Sequence, residues 1–459
     1  MTEQAPFIPA SPDEQPAPPA WRVFAEPGFG RLWSAQFISS LGDWIGLVAI
    51  LAVAARLSQS GTAVGLVMVA RMLPGFLLAP LGGALVDRWN RKVVMVSCDI
   101  GRAGLLAVLP FLDSLAGLVV ISFCIEVLTL LWGPAKDASV PNVVKNPQHL
   151  ASANSLSLVA AYGTFPLGAV IFAALAGVAK WLADVDALNT FDVDREWLAI
   201  WFDSLTFLAS ALLISRLHLS EGGREKPARP EFTQTFRDIV DGLRFIRSDA
   251  LVRGVMLGLA GGLIGGGAIV PLGPVFAREV LDGGSAGFGL LMTALGMGAA
   301  FGVVTLLVAQ GRWRFPRDAV FTSAVVVTGA AIVAAGSVAT LTPAIVIVAV
   351  IGAAAGSAYV TGFTLLQETV ADELRGRTFA TLYTVVRLCL LLSLTVGPFA
   401  ASALGAISDH WVDGEVEVGS LSVSLPGVRL ALWLGGAVTV LSGVLARRRM
   451  RRAFQVAGP

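Results

Sequence analysis

Charged residues are scarce in this chain of 459 residues: they make up 14% of it, against 55% hydrophobic residues. Soluble domains average about 25% charged residues, so this composition excludes an ordinary soluble protein and indicates one that lies mostly in lipid. The net charge of +1 gives no indication of nucleic-acid binding, and we expect no nucleic-acid partner.

Residues that bind metals or form disulfides are also few. The three cysteines all lie within apolar runs, so we expect small buried side chains rather than a disulfide framework. The three histidines lie in separate loops, and no His/Cys cluster has the spacing of metal ligands. No nucleophile, histidine and acid come together within the apolar runs. We therefore predict no metal site, no bound cofactor and no enzyme activity.

Long apolar runs, in contrast, recur along the whole chain. Twelve of them are long enough to cross about 30 Å of hydrocarbon. Each predicts a helix, because backbone groups in lipid must bond to one another. The predicted spans are residues 33–57, 62–86, 93–113, 116–138, 155–179, 198–217, 250–276, 286–308, 318–341, 343–366, 378–404 and 429–446. We predict an all-α membrane protein with twelve transmembrane helices.

Polar stretches divide the chain into two sets of six predicted helices. The first residues lack the basic region and apolar core of a signal peptide, and their composition predicts a disordered cytoplasmic tail. Apolar residues at helical spacing in the central polar stretch predict an amphipathic helix. The predicted parts are a tail 1–31, a bundle 32–217, a linker 218–249, a bundle 250–446 and a basic tail 447–459.

Lysine and arginine collect on one side of the predicted membrane, which sets the orientation. That side carries the loops around residues 88–92, 136–145, 218–249 and 312–317 and the tail after residue 446. The opposite side is acidic. We therefore predict a multi-pass protein of the inner (plasma) membrane with both termini cytoplasmic. On the outer side, alternating residues from Glu415 to Leu425 around Gly-Ser predict a small hairpin.

Seven acidic or basic residues lie five or more residues from the ends of the predicted spans, where charge is costly, and this makes each of them a functional candidate. They are Asp43, Arg71, Asp99, Arg102, Glu126, Asp203 and Arg387. The alternative is that ion pairs among them only orient the helices.

Three of the seven lie at mid-depth in the first set of helices. Asp43 and Arg71 differ in depth by only about 7 Å, so we expect them to form an ion pair. Glu126 lies midway along its helix, with no basic residue near it in that helix. A desolvated carboxyl of this kind carries a proton as a neutral acid. We predict that Glu126 carries the proton and that Asp43 and Arg71 tune the cavity.

The other four residues are expected to act elsewhere. Asp99 and Arg102 share a helix face and lie closer to the cytoplasm, so we assign them to a gate on that side. Asp203 is expected near the outer end of its helix, with a structural role. Arg387 is the lone charge away from the helix ends in the second set, and we expect it to meet an anionic substrate group or a carboxylate across the central cleft.

The connection between the second and third predicted helices reads GALVDRWNRK from Gly83 to Lys92. It resembles the loop signature of the major facilitator superfamily, G-x-L-a-D-R-x-G-R-k, with Asn90 in place of a glycine. LGDW at 41–44, DxxR at 99–102 and DELRGRTFA at 372–380 resemble the drug:proton antiporter branch, which holds macrolide-efflux and enterobactin-exporter-like proteins. The resemblance covers almost the whole chain and implies the major facilitator fold, with two six-helix pseudo-repeats.

The resemblance also implies roles for two motifs. The gating motif would tie the first half to the second in the outward-open state, and its matching residues are Gly83, Asp87, Arg88, Arg91 and Lys92, together with Asp99 and Arg102. Antiporters of the superfamily carry a Gly-Pro pair in helix 5. Here Phe165-Pro166 stands at that position, while helix 11 has the intact pair Gly397-Pro398.

These features predict a secondary active transporter that works by alternating access. The leading hypothesis is proton-coupled efflux of an amphiphilic small molecule, such as a drug, an antibiotic, a siderophore or a secondary metabolite. A proton-coupled nutrient importer, and a non-transporting receptor or assembly factor on the same fold, are the alternatives. The expected partners are the substrate, protons and the lipid bilayer, and the expected state is a monomer.

Overall fold

The computed structural model describes residues 20–26, 28–58, 61–78, 89–112, 114–183, 195–218, 249–312, 316–369, 372–412, 415–418 and 421–456. Within these ranges the chain is helical apart from one hairpin. Two short 3-10 helices lie at Ala20–Ala25 and Leu109–Phe111. The α-helices are α1 (Phe29–Ser58), α2 (Gly61–Leu77), α3 (Arg91–Val108), α4 (Leu115–Val143), α5 (Pro147–Tyr162), α6 (Phe165–Ala183), α7 (Arg195–Ser215), α8 (Ala250–Gly266), α9 (Ile269–Glu279), α10 (Gly284–Arg312), α11 (Arg317–Ser337), α12 (Leu341–Thr369), α13 (Asp372–Val412) and α14 (Gly427–Val456).

Polar side chains cap the starts of several helices. Asn90 ahead of α3 accepts a hydrogen bond from the backbone N–H of Val93 at 3.2 Å. Ser114 ahead of α4 accepts one from Gly117 at 3.1 Å, and Asp249 caps α8 in the same way. Each cap pairs an N–H that has no partner within the first helical turn. Asn90, which departs from the loop signature, is therefore a helix cap.

Eleven stretches of the described chain are long and apolar enough to cross a membrane, and Gly61–Gly75 forms a shorter apolar helix. Two of these crossings consist of two helices each. The first is broken at Gly163 between α5 and α6, and the second at Gly267 between α8 and α9. The prediction of an all-α membrane protein is confirmed, with eleven to twelve crossings.

The helices pack in the same way in the two halves of the chain. In the first half α1 and α3 each pack on α7, and α4 packs on α2 and α3. In the second half α8 and α11 each pack on α14, and α12 packs on α10 and α11. Counted as crossings within each half, α1, α2, α3, α4 and α7 correspond to α8, α10, α11, α12 and α14. The same pairs of crossings therefore pack against each other in both halves. Between the halves, α6 packs on α10 and α13 packs on α2, which is again a reciprocal arrangement.

Contacts between helix ends give the direction of the crossings. Arg278 at the end of α9 donates to the backbone carbonyl of Ala55 near the end of α1, at 3.2 Å. Gly254 near the start of α8 lies against Met450 near the end of α14. The starts of α1 and α8 and the end of α14 therefore lie at one end of the bundle. We call it the terminal end, and the other the opposite end.

The hydrophobic core differs between these two ends. Toward the terminal end each half has its own core, which contains Val23 and Leu217 in the first half and Val252 and Met450 in the second. Toward the opposite end a single cluster joins both halves, with residues from α1, α2, α6 and α7 and from α9, α10 and α13. In the described part of the chain the halves therefore meet at the opposite end, and the cleft between them opens at the terminal end.

Residues 20–26 and 28–31 do not form the disordered tail that their composition predicts. The 3-10 helix Ala20–Ala25 places Val23 in the first-half core. Glu26 accepts a hydrogen bond from the backbone N–H of Lys145 at 3.3 Å and lies 3.0 Å from Nδ1 of His149. Burial disfavours the charged form of Glu26, but the hydrogen bonds from His149 and the backbone outweigh it and lower the pKa of that carboxyl. The rest of the predicted tail, residues 1–19, lies outside the described residues.

Three further predictions concern the polar parts of the chain. The hairpin is confirmed: strand β1 (Glu415–Val418) pairs antiparallel with β2 (Leu421–Ser424). In the predicted basic tail, α14 continues as a helix to Val456. The amphipathic helix of the linker falls on residues 219–248, which lie outside the described residues, and it stays a prediction.

Candidate transport site

Six ionisable side chains form a cluster inside the first half of the bundle. They come from α1, α2, α3, α4 and α7 and are Asp43, Arg71, Asp99, Arg102, Glu126 and Asp203. When all are ionised, four negative and two positive charges leave an excess of two negative charges in a region where charge is costly. No three potential metal ligands come together among the side chains that the structure describes. The cluster is suited to binding protons or a cationic group.

The pair of Asp99 and Arg102 lies at the centre of this cluster. Both side chains are buried and form an ion pair. Arg102 also reaches Asp43 Oδ2 in α1 at 3.8 Å and Thr129 Oγ1 in α4 at 3.4 Å. From α7, Ser210 donates a hydrogen bond to Asp99 at 2.8 Å. The pair therefore links four helices inside the bundle, beside Asp43 rather than at the cytoplasmic surface, and its gating role stays a prediction.

The ion pairs of the mid-depth residues differ from the predicted ones. Arg71 Nη2 lies 4.0 Å from Glu126 Oε2, so the expectation that Glu126 has no basic partner is wrong. Asp43 pairs with Arg102, so the predicted Asp43–Arg71 ion pair is wrong too, although Arg71 lies within electrostatic range of Asp43. Depth along the helices does not fix the partner, because the packing of α2 on α4 turns Arg71 toward Glu126.

Three members of the cluster remain partly exposed. The exposed fractions of the side chains are 30% for Asp43, 24% for Glu126 and 12% for Arg71. Charged groups inside membrane-spanning helices almost always face the bundle interior or a water-filled cavity, so we infer that their exposed surface faces the cleft between the halves. The cleft is therefore lined by two carboxylates and one guanidinium.

Asp203 lies apart from the ion pairs, at the contact between α7 and α1. Its buried carboxylate lies against Gly42 and Gly46, where an added Cβ would overlap the carboxylate oxygens. Thr206 Oγ1 lies 3.3 Å from Asp203 Oδ1. Asp203 is thus level with Asp43 and not near the outer end of its helix. The spacing of Gly42 and Gly46 is the small-xxx-small pattern of close helix contacts, which could have indicated this site.

The loop of the predicted gating motif is described only in part. Gly83, Asp87 and Arg88 lie outside the described residues. Arg91 donates to the backbone carbonyl of Ala138 in α4 at 2.7 Å, which is a contact within the first half. Lys92 is half-buried at the start of α3. The gating role of this loop stays a prediction.

Two predicted site residues lie in α13 of the second half. Gly397 packs within that half, because an added Cβ would lie 2.7 Å from Ala268 Cβ. Arg387 belongs to the same helix, and its side chain is outside the described ones. Its expected contact with a substrate or a carboxylate stays a prediction.

Pro166 and Pro398, the prolines of the motif in the fifth and eleventh crossings, lie at contacts between the halves. Pro166 at the start of α6 faces Gly296 of α10, on which a Cβ would lie 2.8 Å from Pro166 Cγ. Pro398 in α13 faces Gly61 at the start of α2, on which a Cβ would lie 2.5 Å from the Pro398 carbonyl oxygen. Each half therefore contributes one helix with a proline and one helix with a glycine to the contacts between the halves.

Polar contacts that the sequence does not predict close the opposite end. Glu196 at the start of α7 pairs with Arg56 of α1 at 3.6 Å and accepts a hydrogen bond from Ser285 of α10. Arg278 of α9 binds the carbonyl of Ala55. These residues line a cavity of about 340 Å³ between the halves. We call this set the opposite-end latch.

A weak sequence signal for the latch exists. Arg56 and Arg278 are among the few basic residues on the acidic side of the membrane, and each stands at the end of the first crossing of its half. Nothing in the sequence around Glu196 or Ser285 indicates that they meet.

Comparisons with known proteins agree on one family. A family model described as a transmembrane secretion effector matches residues 19–413. The chain is 33% identical over 133 residues to YfiS of Bacillus subtilis, an uncharacterised MFS-type transporter. That match covers 29% of this chain and 32% of YfiS, so the chain spans about a third of the length of this relative.

Two other relatives match over most of their length. The putative bacilysin exporter BacE of Bacillus subtilis is 25% identical over 80% of this chain and 86% of its own. The multidrug efflux pump Tap of Mycolicibacterium fortuitum is 24% identical over 87% of this chain and 92% of its own. Among solved structures, a bacterial homologue of the human lysosomal transporter Spinster, in an inward-facing and unoccupied conformation, matches with a TM-score of 0.70 and 17% identity. This match covers 93% of this chain and 98% of that one, and shows the fold alone.

Proposed function

Because the chain belongs to the major facilitator superfamily, in the transmembrane secretion effector family, we propose that it is a proton-coupled exporter of amphiphilic small molecules. Membership of this family makes it a transporter and not an enzyme. The observation that carries the finer proposal is the cluster of partly exposed acidic and basic side chains inside the first half of the bundle. Two relatives that match most of the chain are named as exporters, which supports the direction of transport.

The orientation of the cleft follows from the distribution of basic residues. We place the terminal end in the cytoplasm, because the loops and tail at that end carry most of the lysine and arginine. The cleft then opens to the cytoplasm, and the opposite-end latch closes the outer side. In this conformation an exporter takes up its substrate.

The chemistry of the cleft indicates the class of substrate. Arg71, Glu126 and Asp43 provide partly exposed charges of both signs within helices that are otherwise mostly apolar. A polar or charged group of the substrate would bind these side chains, while its apolar body would lie against the surrounding helices. This combination describes an amphiphilic molecule.

Proton coupling is assigned to Glu126, with Asp43 as the second carboxylate of the cleft. A proton on Glu126 removes the negative charge that would otherwise bind a cationic group of the substrate. The substrate and the proton then compete for the same side chains. Alternating access exposes the site to each side in turn, so a proton that enters from outside is released to the cytoplasm when the next substrate binds.

A panel of dyes and antibiotics tests this proposal in cells with and without the protein. We expect lower accumulation of several compounds in cells that contain the protein, and an uncoupler of the proton gradient should abolish the difference. A difference that survives the uncoupler would exclude proton driving. Higher accumulation would indicate an importer, and unchanged accumulation of every compound would favour a receptor or an assembly factor.

A further inference from the structure

We propose that Asp203 holds a proton in this conformation and exchanges it with the cleft through Asp43. The protonated state follows from the contacts of Asp203 alone. Its coupling to export rests on the proposed function, and the two parts are tested separately below.

Asp203 is the carboxyl of the cluster that has no counter-ion. Its exposed fraction is 3%, and no basic side chain among the described residues lies within 4.0 Å of it. Each of the other three carboxyls of the cluster has an arginine within that distance. A buried carboxylate without a counter-ion is strongly disfavoured, whereas a neutral carboxylic acid in the same place is not.

Hydrogen bonds do not replace the missing counter-ion. The hydroxyl of Thr206 lies 3.3 Å from Asp203 Oδ1 and 2.7 Å from the backbone carbonyl of Asp203, so its single proton is shared between two acceptors. On the other side, Gly42 and Gly46 of α1 have no side chain that could donate. A single weak donor cannot compensate a buried negative charge.

The charged groups around Asp203 come from three neighbouring helices. Asp43 of α1 repels an ionised Asp203, while Arg71 of α2 and Arg102 of α3 attract it from beyond ion-pair distance. Both arginines are already engaged by other carboxylates. α6, which also packs on α7, presents no charged residue among its described side chains. A proton on Asp203 removes one of the two excess negative charges of the cluster.

Asp43 provides the route between Asp203 and the cleft. The two glycines against which Asp203 lies flank Asp43 in α1, and the side chain of Asp43 is partly exposed to the cleft. When the proton passes to Asp43, Asp203 becomes the carboxylate and Asp43 becomes the neutral acid, so total charge is conserved. Arg102, which keeps its ion pair with Asp99, then loses the attraction of Asp43 and is drawn toward the new carboxylate. Proton transfer is thereby linked to the charges that line the cleft.

Infrared spectroscopy of the full-length protein, in a detergent without ester groups, tests the protonated state directly. Near neutral pH we expect the carbonyl stretch of a neutral carboxylic acid, which shifts in deuterated water and is absent from Asp203→Asn. Asp137→Asn is the matched control, because the side chain of Asp137 is exposed, and it must keep the band. A band of equal intensity in the wild type and Asp203→Asn overturns the proposal.

A second variant covers the case in which Asp203→Asn does not fold. Thr206→Val removes the hydroxyl near Asp203 Oδ1 and leaves the carboxyl in place. We expect the band to persist with a changed frequency. A band at the wild-type frequency would belong to another carboxyl, and it would also overturn the proposal.

The coupling is measured as the pH dependence of binding of a dye found in the cell panel. Coupling between two sites typically changes affinity by roughly 5–150-fold, so we expect at least about a fivefold effect of pH in the wild type and a smaller one in Asp203→Asn. If Asp203→Asn keeps the full effect, the coupling part of the proposal is wrong. If dye binding by the wild type does not depend on pH while the infrared band is present, the proposed function fails and the protonation of Asp203 stands.

Discussion

At the scale of single residues, the contact between α1 and α7 depends on the absence of a side chain at Gly46. An added Cβ there would lie 3.0 Å from Asp203 Cγ and would overlap Oδ2. The carboxyl is buried and cannot turn into water to make room. Helices in lipid often approach through small residues in this way, because close packing replaces the hydrophobic effect as the source of association.

Gly46→Ala should therefore destabilise the protein. We expect a loss of about 1–3 kcal/mol, which is typical of an extra methyl group in a packed interior. The change is measured by thermal unfolding in detergent. Gly104→Ala in α3 is the matched control, because an added Cβ there meets nothing within 4 Å. Equal stability of the two variants would show that the contact with Asp203 is loose.

The contact of Glu26 with Lys145 and His149 should make stability depend on pH. The lowered pKa of this carboxyl means that the contact stabilises the fold above the ordinary glutamate pKa of about 4.3 and is lost as the pH falls through the folded-state value. The melting temperature of the wild type should exceed that of Glu26→Gln near neutral pH, by no more than a few degrees. The difference should vanish in acid, and one that grows in acid would contradict the assignment.

The sequence identifies the charged residues inside the membrane but only part of their pairing. Helical spacing places Asp99 and Arg102 on one face, and these two residues do form an ion pair. Depth alone matches Asp43 with Arg71, whereas the structure pairs Arg71 with Glu126. The choice between partners depends on how each helix is rotated in the bundle, and that rotation is set by packing that no single helix encodes.

At the scale of helices, the halves meet through α2 and α13 and through α6 and α10. In the first of these contacts Thr62 and Ser402 hydroxyl oxygens lie 3.0 Å apart, next to the approach of Gly61 to Pro398. Alternating access requires this contact to open whenever the cleft opens at the opposite end.

A disulfide across the contact should therefore stop transport. In a variant without the native cysteines, Thr62→Cys with Ser402→Cys should cross-link on oxidation, because the two hydroxyl oxygens are already in contact. We expect transport to fall on oxidation and to return on reduction. The two single-cysteine variants are the controls and should transport under both conditions. Full transport by the cross-linked protein would mean that this contact does not open.

Apolar run length predicts the helices of this protein well, because backbone groups in lipid have no other way to bond. The hairpin is also predicted, since Glu415 to Ser424 alternate around a Gly-Ser turn. The ordered segment around Val23 is not predicted, because its burial depends on contacts with distant residues such as His149. The helix breaks at Gly163 and Gly267 are also missed. Glycine is common in membrane helices, so its presence does not indicate a break.

At the scale of the whole molecule, the charge distribution makes a prediction about topology. Reporters fused at residues 226 and 459 should both lie in the cytoplasm, and one inserted at residue 415 should lie outside. Activity of enzyme reporters that work on only one side of the membrane checks this. Finding residues 226 and 415 on the same side would contradict the five crossings predicted between them and, with them, the twelve-helix arrangement.

The cleft between two similarly packed halves is the feature from which the proposed function follows. Its open end, its latched end and its mid-depth charges agree with a transporter whose cleft is open at the terminal end and closed at the opposite end. The two-half arrangement can be expected from the sequence, because the apolar runs and the loop motif imply it. The state of the cleft cannot, because the latch joins residues that are distant in the chain.

Accumulation of a dye in everted membrane vesicles under an imposed proton gradient tests the central claim most directly. The wild type should accumulate the dye, and an uncoupler should abolish this. Glu126→Gln should still bind the dye but not concentrate it, because it has no carboxyl to protonate at that position. Glu368→Gln, at an exposed ion pair with Arg317, is the matched control and should behave as the wild type does. Gradient-driven accumulation by Glu126→Gln at the wild-type level would contradict the account.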